Sequence, residues 1–388
     1  MSEISYIPPE VVTQILENLP VKTLLRFRCV CKSWCSIIDH PNFVSLHLKY
    51  SRVRRDKDKL LFALERLGPW GESGCSLTVL QTDTLKNPKH IFRISDEFEY
   101  YILGACDGLL LVQRYGSPCY KEELRLWNPC IRKSLTLPTN PLPSRLIGKG
   151  MYIFGFSPES NDYKVVAVSF KSRDRTMKMY VAVYTLSDQQ WAIRNDGLNI
   201  NHSYLQSLFK GNNSLSSKSN TIYFQGAAHW LGNNRHGDIG NQLTHLVSFN
   251  FDTEKFTFSE LPFALYEEDS LRILFLRGES LAIFSISTIS SSVRVLKNGV
   301  WTLQFSGSSS DDGYKLFSSF LFKYSKEKVL YSESDGGSLI YRKQSYNIGT
   351  CQVRQSVELM SSYLELEAYS ESFLLYKGYG AKYLTSFP

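Results

Sequence analysis

The sequence has few of the features that define disulfide-rich, secreted or membrane-spanning proteins. It contains 8 cysteines in 388 residues and no C-x-x-C pair, which is too sparse for a disulfide framework. All its apolar runs stay below the roughly 18 residues that suggest a membrane span. The first twenty residues include no lysine or arginine, so the basic region of a secretory signal is missing. We therefore expect an intracellular protein, cytoplasmic, nuclear or both, with reduced thiols and no membrane association.

Linear motifs of catalysis and metal binding are missing as well. The sequence contains no G-x-S-x-G, P-loop or dinucleotide-binding fingerprint. Cys29, Cys31 and Cys35 lie close together, but zinc sites usually have a two-residue gap and a second ligand pair downstream. The histidines after residue 59 show no ligand spacing: they are His90, His202, His229, His236 and His245. We expect no catalytic residue, cofactor or metal, although side chains from separate loops could still build a hydrolytic site.

Positive charge is concentrated near the N-terminus. Residues 1–59 hold ten Lys or Arg against six Asp or Glu, while the other residues hold 34 against 31. Such an excess favours steering towards an acidic partner. The segment 51–59 includes Asp56 and Asp58 and no aromatic residue, unlike a basic stripe that binds nucleic acid. We interpret 51–59 as a charged, solvated linker and expect no nucleic-acid partner.

The first 50 residues have helical periodicity. Val11, Ile15 and Leu19 recur at spacings typical of a helix face, Pro8 and Pro9 open this helix, and Pro20 closes it. A second apolar run extends to Ile38 and stops before Pro41. The pattern predicts three to four short helices. Because a unit this small buries too little surface to be very stable alone, we expect it to need a partner.

The same residues resemble the F-box, the helical motif by which F-box proteins dock on the Skp adaptor of cullin-based ubiquitin ligases. The resemblance rests on an ordered series of short strings: Pro8, Ile15-Leu16, Leu19-Pro20, Leu24-Leu25, Arg28 to Lys32 and Ser33-Trp34. The string VCKSW is characteristic of plant members. An ordinary N-terminal helical bundle with a buried tryptophan is the alternative interpretation.

The resemblance also implies partners and site residues. It implies docking on the Skp adaptor and, through it, association with cullin and RING subunits. The residues implied for docking are Pro8, Ile15, Leu16, Leu19, Pro20, Leu24, Leu25 and Val30. Among these, Pro8, Leu16, Pro20 and Leu24 are expected to reach the adaptor, while Trp34 and Ile37 belong to the core of the bundle.

Residues 60–388 have the composition of an all-β domain with an internal repeat. Short runs rich in β-branched and aromatic residues alternate with turn residues. One hairpin type recurs with an apolar anchor at Leu80, Trp127, Tyr184, Phe249, Val295 and Tyr341, at intervals of 47, 57, 65, 46 and 46 residues. A second hairpin lies in each interval, so each period has four strands, the size of a propeller blade. We predict a β-propeller of about six blades rather than a β-sandwich.

Closure of the ring is also predicted. The C-terminal hairpin at 363–377 should pair with the strand at 60–66. A domain of this size should supply its own core, so we expect it not to depend on the helices for stability.

This region resembles the F-box-associated, kelch-like domain of plant proteins. The strings that carry the resemblance lie within residues 100–260: GACDGLLLV, LWNPCIRKSLTLP, FGFSPESNDYKVV, VYTLSDQQW, GAAHWL and SFNFDTEKF. The chain departs from the family pattern towards its C-terminus. The resemblance implies a non-catalytic receptor that holds a target protein for ubiquitination, and S-locus F-box-like proteins are one possible subgroup. A propeller that binds carbohydrate or peptide outside ubiquitination is the alternative, and neither the target nor its binding residues can be read from the sequence.

Overall fold

The fold begins with four helices, and all other regular elements described are strands. The computed structural model describes residues 7–54, 60–66, 75–81, 89–94, 99–115, 123–142, 151–173, 176–194, 221–234, 242–266, 270–276, 279–287, 290–308, 321–323, 328–334, 341–347, 352–358, 364–369, 371–375 and 384–386. The helices are α1 (Pro9–Glu17), α2 (Val21–Phe27), α3 (Lys32–Asp39) and α4 (Pro41–Arg54).

Proline and a cysteine cap set the limits of the helices. Pro9 occupies the first turn of α1, where its missing N–H costs nothing. Pro20 has φ −60° and an extended ψ, so it caps α2 at its N-terminus and separates it from α1. Cys31 begins α3, because its Sγ accepts the Trp34 N–H at 3.4 Å. The second predicted helical run is thus divided into α2 and α3. Pro41, which was predicted to end a helix, begins α4.

The last helix extends past the sequence-based domain boundary. We placed the end of the helical domain at residue 50, and α4 continues through Arg54. The remainder of the predicted charged linker, residues 55–59, lies outside the described residues.

The strands form six antiparallel sheets within the described chain. We name them blades one to six in chain order. Their strands are β1 (Leu60–Arg66), β2 (Cys75–Gln81), β3 (Lys89–Ile94), β4 (Glu99–Cys106), β5 (Leu109–Tyr115), β6 (Glu123–Asn128), β7 (Lys133–Thr136), β8 (Met151–Ser157), β9 (Asp162–Arg173), β10 (Thr176–Thr185), β11 (Gln190–Arg194), β12 (Ile222–Phe224), β13 (Ala227–Asn234), β14 (Gln242–Asn250), β15 (Lys255–Tyr266), β16 (Ser270–Leu276), β17 (Leu281–Ser287), β18 (Ser290–Lys297), β19 (Val300–Ser308), β20 (Leu321–Lys323), β21 (Lys328–Ser334), β22 (Tyr341–Asn347), β23 (Gln352–Glu358), β24 (Leu364–Tyr369) and β25 (Leu384–Ser386).

Each blade is a meander of four strands, as predicted from the repeat. The strand orders are β24-β1-β2-β3, β4-β5-β6-β7 with β25 added, β8-β9-β10-β11, β12-β13-β14-β15, β16-β17-β18-β19 and β20-β21-β22-β23. Every predicted anchor lies on the third strand of its blade, from Leu80 on β2 to Tyr341 on β22. Neighbouring blades meet through their first strands, for example β4 with β8 and β16 with β20. The prediction of about six four-stranded blades is confirmed.

The C-terminal part of the chain closes blade one. Strand β24 pairs with β1 in an antiparallel register that runs from Leu60 opposite Tyr369 to Glu65 opposite Leu364. The predicted pairing of the segment 363–377 with the strand at 60–66 is confirmed for β24, but residues 371–375, predicted as part of the second strand of a hairpin, form no strand. A further C-terminal strand, β25, pairs with the outer strand β7 of blade two, where Thr385 lies opposite Ser134.

Tight turns join the strands where the sequence has turn residues. Asp107 and Gly108 both have positive φ, 50° and 82°, as a type I′ hairpin requires. The four-residue loops after β6, β10 and β14 each end in a residue with positive φ: Arg132, Gln189 and Glu254. Such loops fix the register of each outer hairpin.

The hydrophobic core lies in layers between successive blades. One layer joins blades two and three, a second joins blades three and four, and a third joins blades four and five. Trp127 and Trp230 are buried in the propeller, and Trp191 and Trp301 pack against its inter-blade cores. Blades three and four approach so closely at Gly155 that a Cβ there would lie 2.7 Å from the Tyr223 ring. The tryptophans therefore stabilise the blades against each other.

Candidate functional site

The first helix has two apolar faces, and one of them packs against the core formed by the described helices. Leu16 is completely buried in the helical core, and Val12 packs against that core. Val11 and Ile15 lie one turn apart, which places them on a common face, and they are 42% and 51% exposed. Ile7, just before α1, is 54% exposed. We call Ile7, Val11 and Ile15 the outer face of α1.

Several predicted docking residues lie on the surface of the helical domain. Pro8 precedes α1, Pro20 precedes α2, and both are exposed. Val30, in the turn between α2 and α3, is 60% exposed. Large apolar side chains are rarely left this exposed without a reason when several occur in one small domain. Together with Ile15, these residues are available to a partner.

Other predicted docking residues lie in the helical core. Leu16 and Leu24 have no exposed surface, so neither can contact an adaptor unless the core opens. Their expected role as contact residues is therefore corrected to a role in the core. Leu19 and Leu25 are partly buried and pack against the same core. The helical period identified the apolar positions correctly, but it does not tell which apolar face turns inwards.

Trp34 and Ile37 pack against this core as well. The Trp34 ring lies 5.3 Å from the Phe27 ring at an angle of 48°. Tilted aromatic pairs of this kind add about 0.5–1.5 kcal/mol beyond their buried area. The contact holds α3 against α2.

Some of the basic residues of the helical domain are paired and others are not. Arg28 donates two hydrogen bonds to Asp39, at 2.6 and 2.9 Å. Lys22 forms an ion pair with Glu371 at 3.0 Å. Arg26 and Lys32 are exposed, and no carboxylate of the described residues pairs with them. Those two charges remain available for an acidic partner.

The helical domain is attached to the propeller by residues 371–375, which we call the C-terminal clasp. Phe373 is 2% exposed and is part of the helical core, although in the chain it follows strand β24 of blade one. Its ring meets the His47 ring edge-on at 5.4 Å. His47 is itself buried, and its Nε2 lies 2.9 Å from the Leu19 carbonyl oxygen.

The propeller binds the clasp on both sides of Phe373. Asn128, at the end of β6, is completely buried, and its Nδ2 donates to the carbonyl oxygens of Ser372 at 2.9 Å and Leu374 at 2.8 Å. Leu374 and Leu375 belong to the core between blades two and three. The propeller was expected not to depend on the helices. The structure instead shows that the helical core and the propeller share one buried segment.

Buried polar and charged side chains of the propeller form hydrogen bonds and ion pairs between blades. Tyr163 Oη donates to Asp107 at 2.9 Å, joining blades three and two. Lys164 donates to Glu254 at 2.9 Å, and Arg194 also binds Glu254. Burial raises the pKa of Glu254, but the hydrogen bonds from Arg194 and Lys164 outweigh this effect, so the pKa lies below its usual value. These groups hold blades together.

His229 is a partly buried histidine with two partners. Its Nδ1 lies 2.7 Å from Ser248 Oγ, and its Nε2 lies 3.3 Å from the Phe224 carbonyl oxygen. Because a carbonyl only accepts, Nε2 carries the proton in the neutral ring. Burial lowers the pKa of His229, while the bond to Phe224 acts in the opposite direction. This is a structural histidine, as we interpreted it from the sequence.

The described residues contain neither a metal-binding cluster nor a membrane-spanning helix. Its His, Cys, Asp and Glu side chains form no group of three or more that could hold a metal ion. None of its helices has the length and apolar character needed to cross a membrane.

Comparison with protein families agrees with this architecture. The family model of the F-box associated beta propeller domain matches residues 74–372, and that of the F-box domain matches residues 4–46. The chain belongs to the family of plant-type F-box proteins that carry an F-box associated beta propeller domain.

Similar curated proteins come from Arabidopsis thaliana. An F-box only protein is 25% identical over 74% of this chain and 67% of its own length. An F-box/kelch-repeat protein is 25% identical over 66% of this chain and 65% of its own length. A further F-box protein is 26% identical over 65% of this chain and 52% of its own length. The chain thus spans between half and two thirds of the length of these relatives.

The solved structures that resemble this chain have low sequence identity and low TM-scores. The Aleuria aurantia lectin in complex with a fucosylated sugar has 9% identity and a TM-score of 0.40, covering 78% of this chain and 96% of the lectin. An oligogalacturonate lyase in complex with manganese has 9% identity and a TM-score of 0.35, covering 78% of this chain and 80% of the lyase. Similarity at this level supports no inference about ligands.

Proposed function

We propose that this protein is the substrate-recognition subunit of an SCF-type (Skp-cullin-F-box) ubiquitin ligase. In this proposal the helical domain docks on the Skp adaptor and thereby joins the cullin and RING subunits. The propeller binds a target protein. The combination of an F-box domain with an F-box associated propeller supports this role in general terms.

The observation that carries the proposal is the outer face of α1. The helical core is already closed around Leu16 and Leu24, and yet Val11 and Ile15 remain about half exposed. Burying a fully exposed side chain of this size is worth about 1.5–3 kcal/mol, so covering the exposed half of each would give the adaptor roughly 1 kcal/mol per side chain. The exposed Arg26 and Lys32 would favour an adaptor with an acidic surface.

The mechanism requires no chemistry from this chain. Other subunits would transfer ubiquitin, and this protein would raise the effective concentration of target lysines near the ubiquitin-loaded enzyme. The clasp serves this purpose, because a propeller held firmly on the F-box presents its target in one orientation. The proposal places the protein in the cytoplasm, the nucleus or both.

The exposed apolar side chains that the structure describes in the propeller favour a protein target over a carbohydrate. Sugar-binding propellers would need exposed aromatic side chains for stacking. Among the described residues of the propeller, the exposed large apolar side chains are all aliphatic: Ile193, Val300 and Leu303. The large aromatic residues Trp127 and Trp230 are buried.

The proposal can be tested by assembly of the complex. The full chain is co-expressed with a plant Skp adaptor, a cullin and a RING subunit, and the complex is separated by size-exclusion chromatography. Replacing Val11 and Ile15 with Asp should remove the chain from the complex, since the adaptor would have to bury two charges without partners. Both side chains are exposed, so the helical domain should still fold.

A matched control lies in the propeller. Ile193 is 49% exposed, compared with 51% for Ile15, and Ile193→Asp should leave assembly unchanged. Co-elution of the Val11→Asp, Ile15→Asp variant with the adaptor would refute docking through α1. Failure of the unmodified chain to assemble would refute the proposed function itself.

A further inference from the structure

An arginine of blade five lies over an aromatic ring of blade four. The Arg294 guanidinium, on β18, lies 4.4 Å from the centre of the Phe263 ring on β15. The Trp301 ring, on β19, meets the same Phe263 ring edge-on at 5.9 Å. Phe263 and Trp301 pack against the core between the two blades. The cation therefore lies at the edge of a rigid aromatic pair.

Arg294 has no acidic partner in the described chain. Its Nη1 donates to Ser292 Oγ at 2.8 Å, and no carboxylate of the described residues forms an ion pair with it. The Arg294 side chain is partly buried, and this burial lowers the pKa of the guanidinium. A guanidinium in this situation gains when a carboxylate approaches, because it has already lost part of its hydration.

An exposed aliphatic residue lies beside the arginine. Leu303 is opposite Arg294 in the register of β18 and β19, so the two side chains share one face of the sheet, and Leu303 is 56% exposed. An arginine that merely covers a core edge with its stem is common, but that role does not account for a leucine side chain left in water next to it.

Among the described residues, no strand pairs with the outer side of β19. It is the last strand of its sheet there, so one row of its N–H and C=O groups faces outwards. In blade two, the strand at the same position, β7, is covered by the extended segment β25. An outer strand of this propeller can thus accept an extended segment, and β19 combines this edge with an exposed leucine and a positive charge that no described carboxylate pairs.

We propose that the outer edge of blade five, at Arg294 and Leu303, binds an extended, acidic segment of the target protein. One carboxylate of that segment binds the Arg294 guanidinium, and a neighbouring aliphatic side chain covers Leu303. The inference rests on the proposed function, because it assigns the segment to the protein that the propeller holds. It locates target recognition on the outer edge of this blade.

The test uses fluorescein-labelled peptides of about twelve residues with the purified full chain. Each peptide carries an Asp-Glu pair one to four positions from a Leu, and a matched set carries Asn-Gln instead. Acidic peptides should bind, and the Asn-Gln set should bind at least about tenfold more weakly, as expected for loss of a partly desolvated ion pair. Arg294→Glu should reduce binding of the acidic set by the same factor or more.

Control variants separate the site from general charge effects. Lys297→Glu makes the same change of charge at an exposed position on the same strand, and it should change binding by less than about twofold. Thermal melting shows whether Arg294→Glu destabilises blade five. If it does, Leu303→Asp, at an exposed position, provides the second test and should also weaken peptide binding. The proposal is overturned if no acidic peptide binds, or if Arg294→Glu and Leu303→Asp bind as well as the unmodified chain.

Adaptor binding is measured on the same variants. Arg294→Glu should still bind the Skp adaptor, because the site lies far from the outer face of α1 in the sequence and on a separate domain. An unmodified chain that binds the adaptor but none of the acidic peptides would refute only the Arg294 site. Loss of adaptor binding in the unmodified chain refutes the ubiquitin-ligase role, whatever the peptides do.

Discussion

Two buried tyrosines of blade three differ in one hydrogen bond. Tyr163 Oη donates to Asp107, whereas Tyr184 Oη is buried without a hydrogen-bond partner among the described residues. Burial raises the pKa of Tyr184 to about 12, and the charge of Asp162 adds to this. A buried hydroxyl without a partner lowers stability, because it has lost its bonds to water.

Removing each hydroxyl should therefore have opposite effects. Tyr184→Phe should leave the free energy of unfolding unchanged or raise it by about 1 kcal/mol, while Tyr163→Phe should lower it by about 1–3 kcal/mol. Urea denaturation followed by tryptophan fluorescence measures both. Equal destabilisation by the two changes would show that the Tyr184 hydroxyl has a partner in solution.

His229 gives the propeller a defined dependence on pH. The ring is held neutral in the folded protein, and its pKa lies below the ordinary value of 6.5. The unfolded chain binds the proton first as the pH falls, so the free energy of unfolding should decrease from about pH 7 to about pH 5. His245, whose pKa is also lowered mainly by burial, acts in the same direction.

Substitution isolates the contribution of His229. His229→Gln keeps a donor and an acceptor but cannot titrate, so the decrease in stability between pH 7 and pH 5 should become smaller. Urea midpoints at the two pH values measure this difference. His40→Gln, at an exposed position, serves as the control and should retain the full decrease, and an unchanged slope in His229→Gln would contradict the assignment.

At the scale of the element, the sequence predicts strands better than it predicts helix faces. Every repeat anchor lies on the third strand of a blade, because the meander imposes the same apolar positions in each repeat. The closing strand was also found from its pattern. In α1, by contrast, apolar residues occupy both faces, and local periodicity cannot decide which face is buried.

Residues distant in the sequence determine which face of α1 is buried. Leu16 shares its core with Phe43 of α4 and with Phe373 of the clasp. No local sequence pattern predicts that Phe373, which follows strand β24, packs among the helices. The sequence therefore allowed the docking motif to be identified, but it assigned Leu16 and Leu24 to the wrong environment.

At the scale of the whole molecule, the clasp makes the two domains one unit. The carbonyl oxygens of Ser372 and Leu374 accept hydrogen bonds from Asn128 in the propeller, and Phe373 packs in the helical core. The buried Asn128 amide is thus one of the contacts that set the relative orientation of the domains, beside Leu48 of α4, which packs against the core of blades two and three. No local pattern predicts the contact between Asn128 and Ser372, since the two residues are 244 positions apart.

Asn128→Asp should loosen that orientation. The change preserves shape, but it replaces a donor to two carbonyl groups with a buried negative charge, which costs about 3–5 kcal/mol. Spin labels on α4 and blade two should give a narrow distance distribution in the unmodified chain and a broad one in Asn128→Asp. Adaptor binding should persist, because the outer face of α1 is unchanged.

Asn140→Asp is the matched control. Asn140 donates to Tyr152 Oη at 3.1 Å within the propeller, so its replacement should leave the distance distribution narrow. A narrow distribution in Asn128→Asp, with a normal circular dichroism spectrum, would show that the clasp does not set the orientation of the domains.

The central claim is that the helical domain docks on the Skp adaptor through the outer face of α1, with its own core remaining closed. Calorimetric titration of the purified adaptor into the full chain tests this claim most directly. Ile15→Asp should weaken binding by about a hundredfold or more, equivalent to about 2.7 kcal/mol, whereas Ile193→Asp should bind like the unmodified chain. Equal affinities for the Ile15→Asp and Ile193→Asp variants would contradict the account.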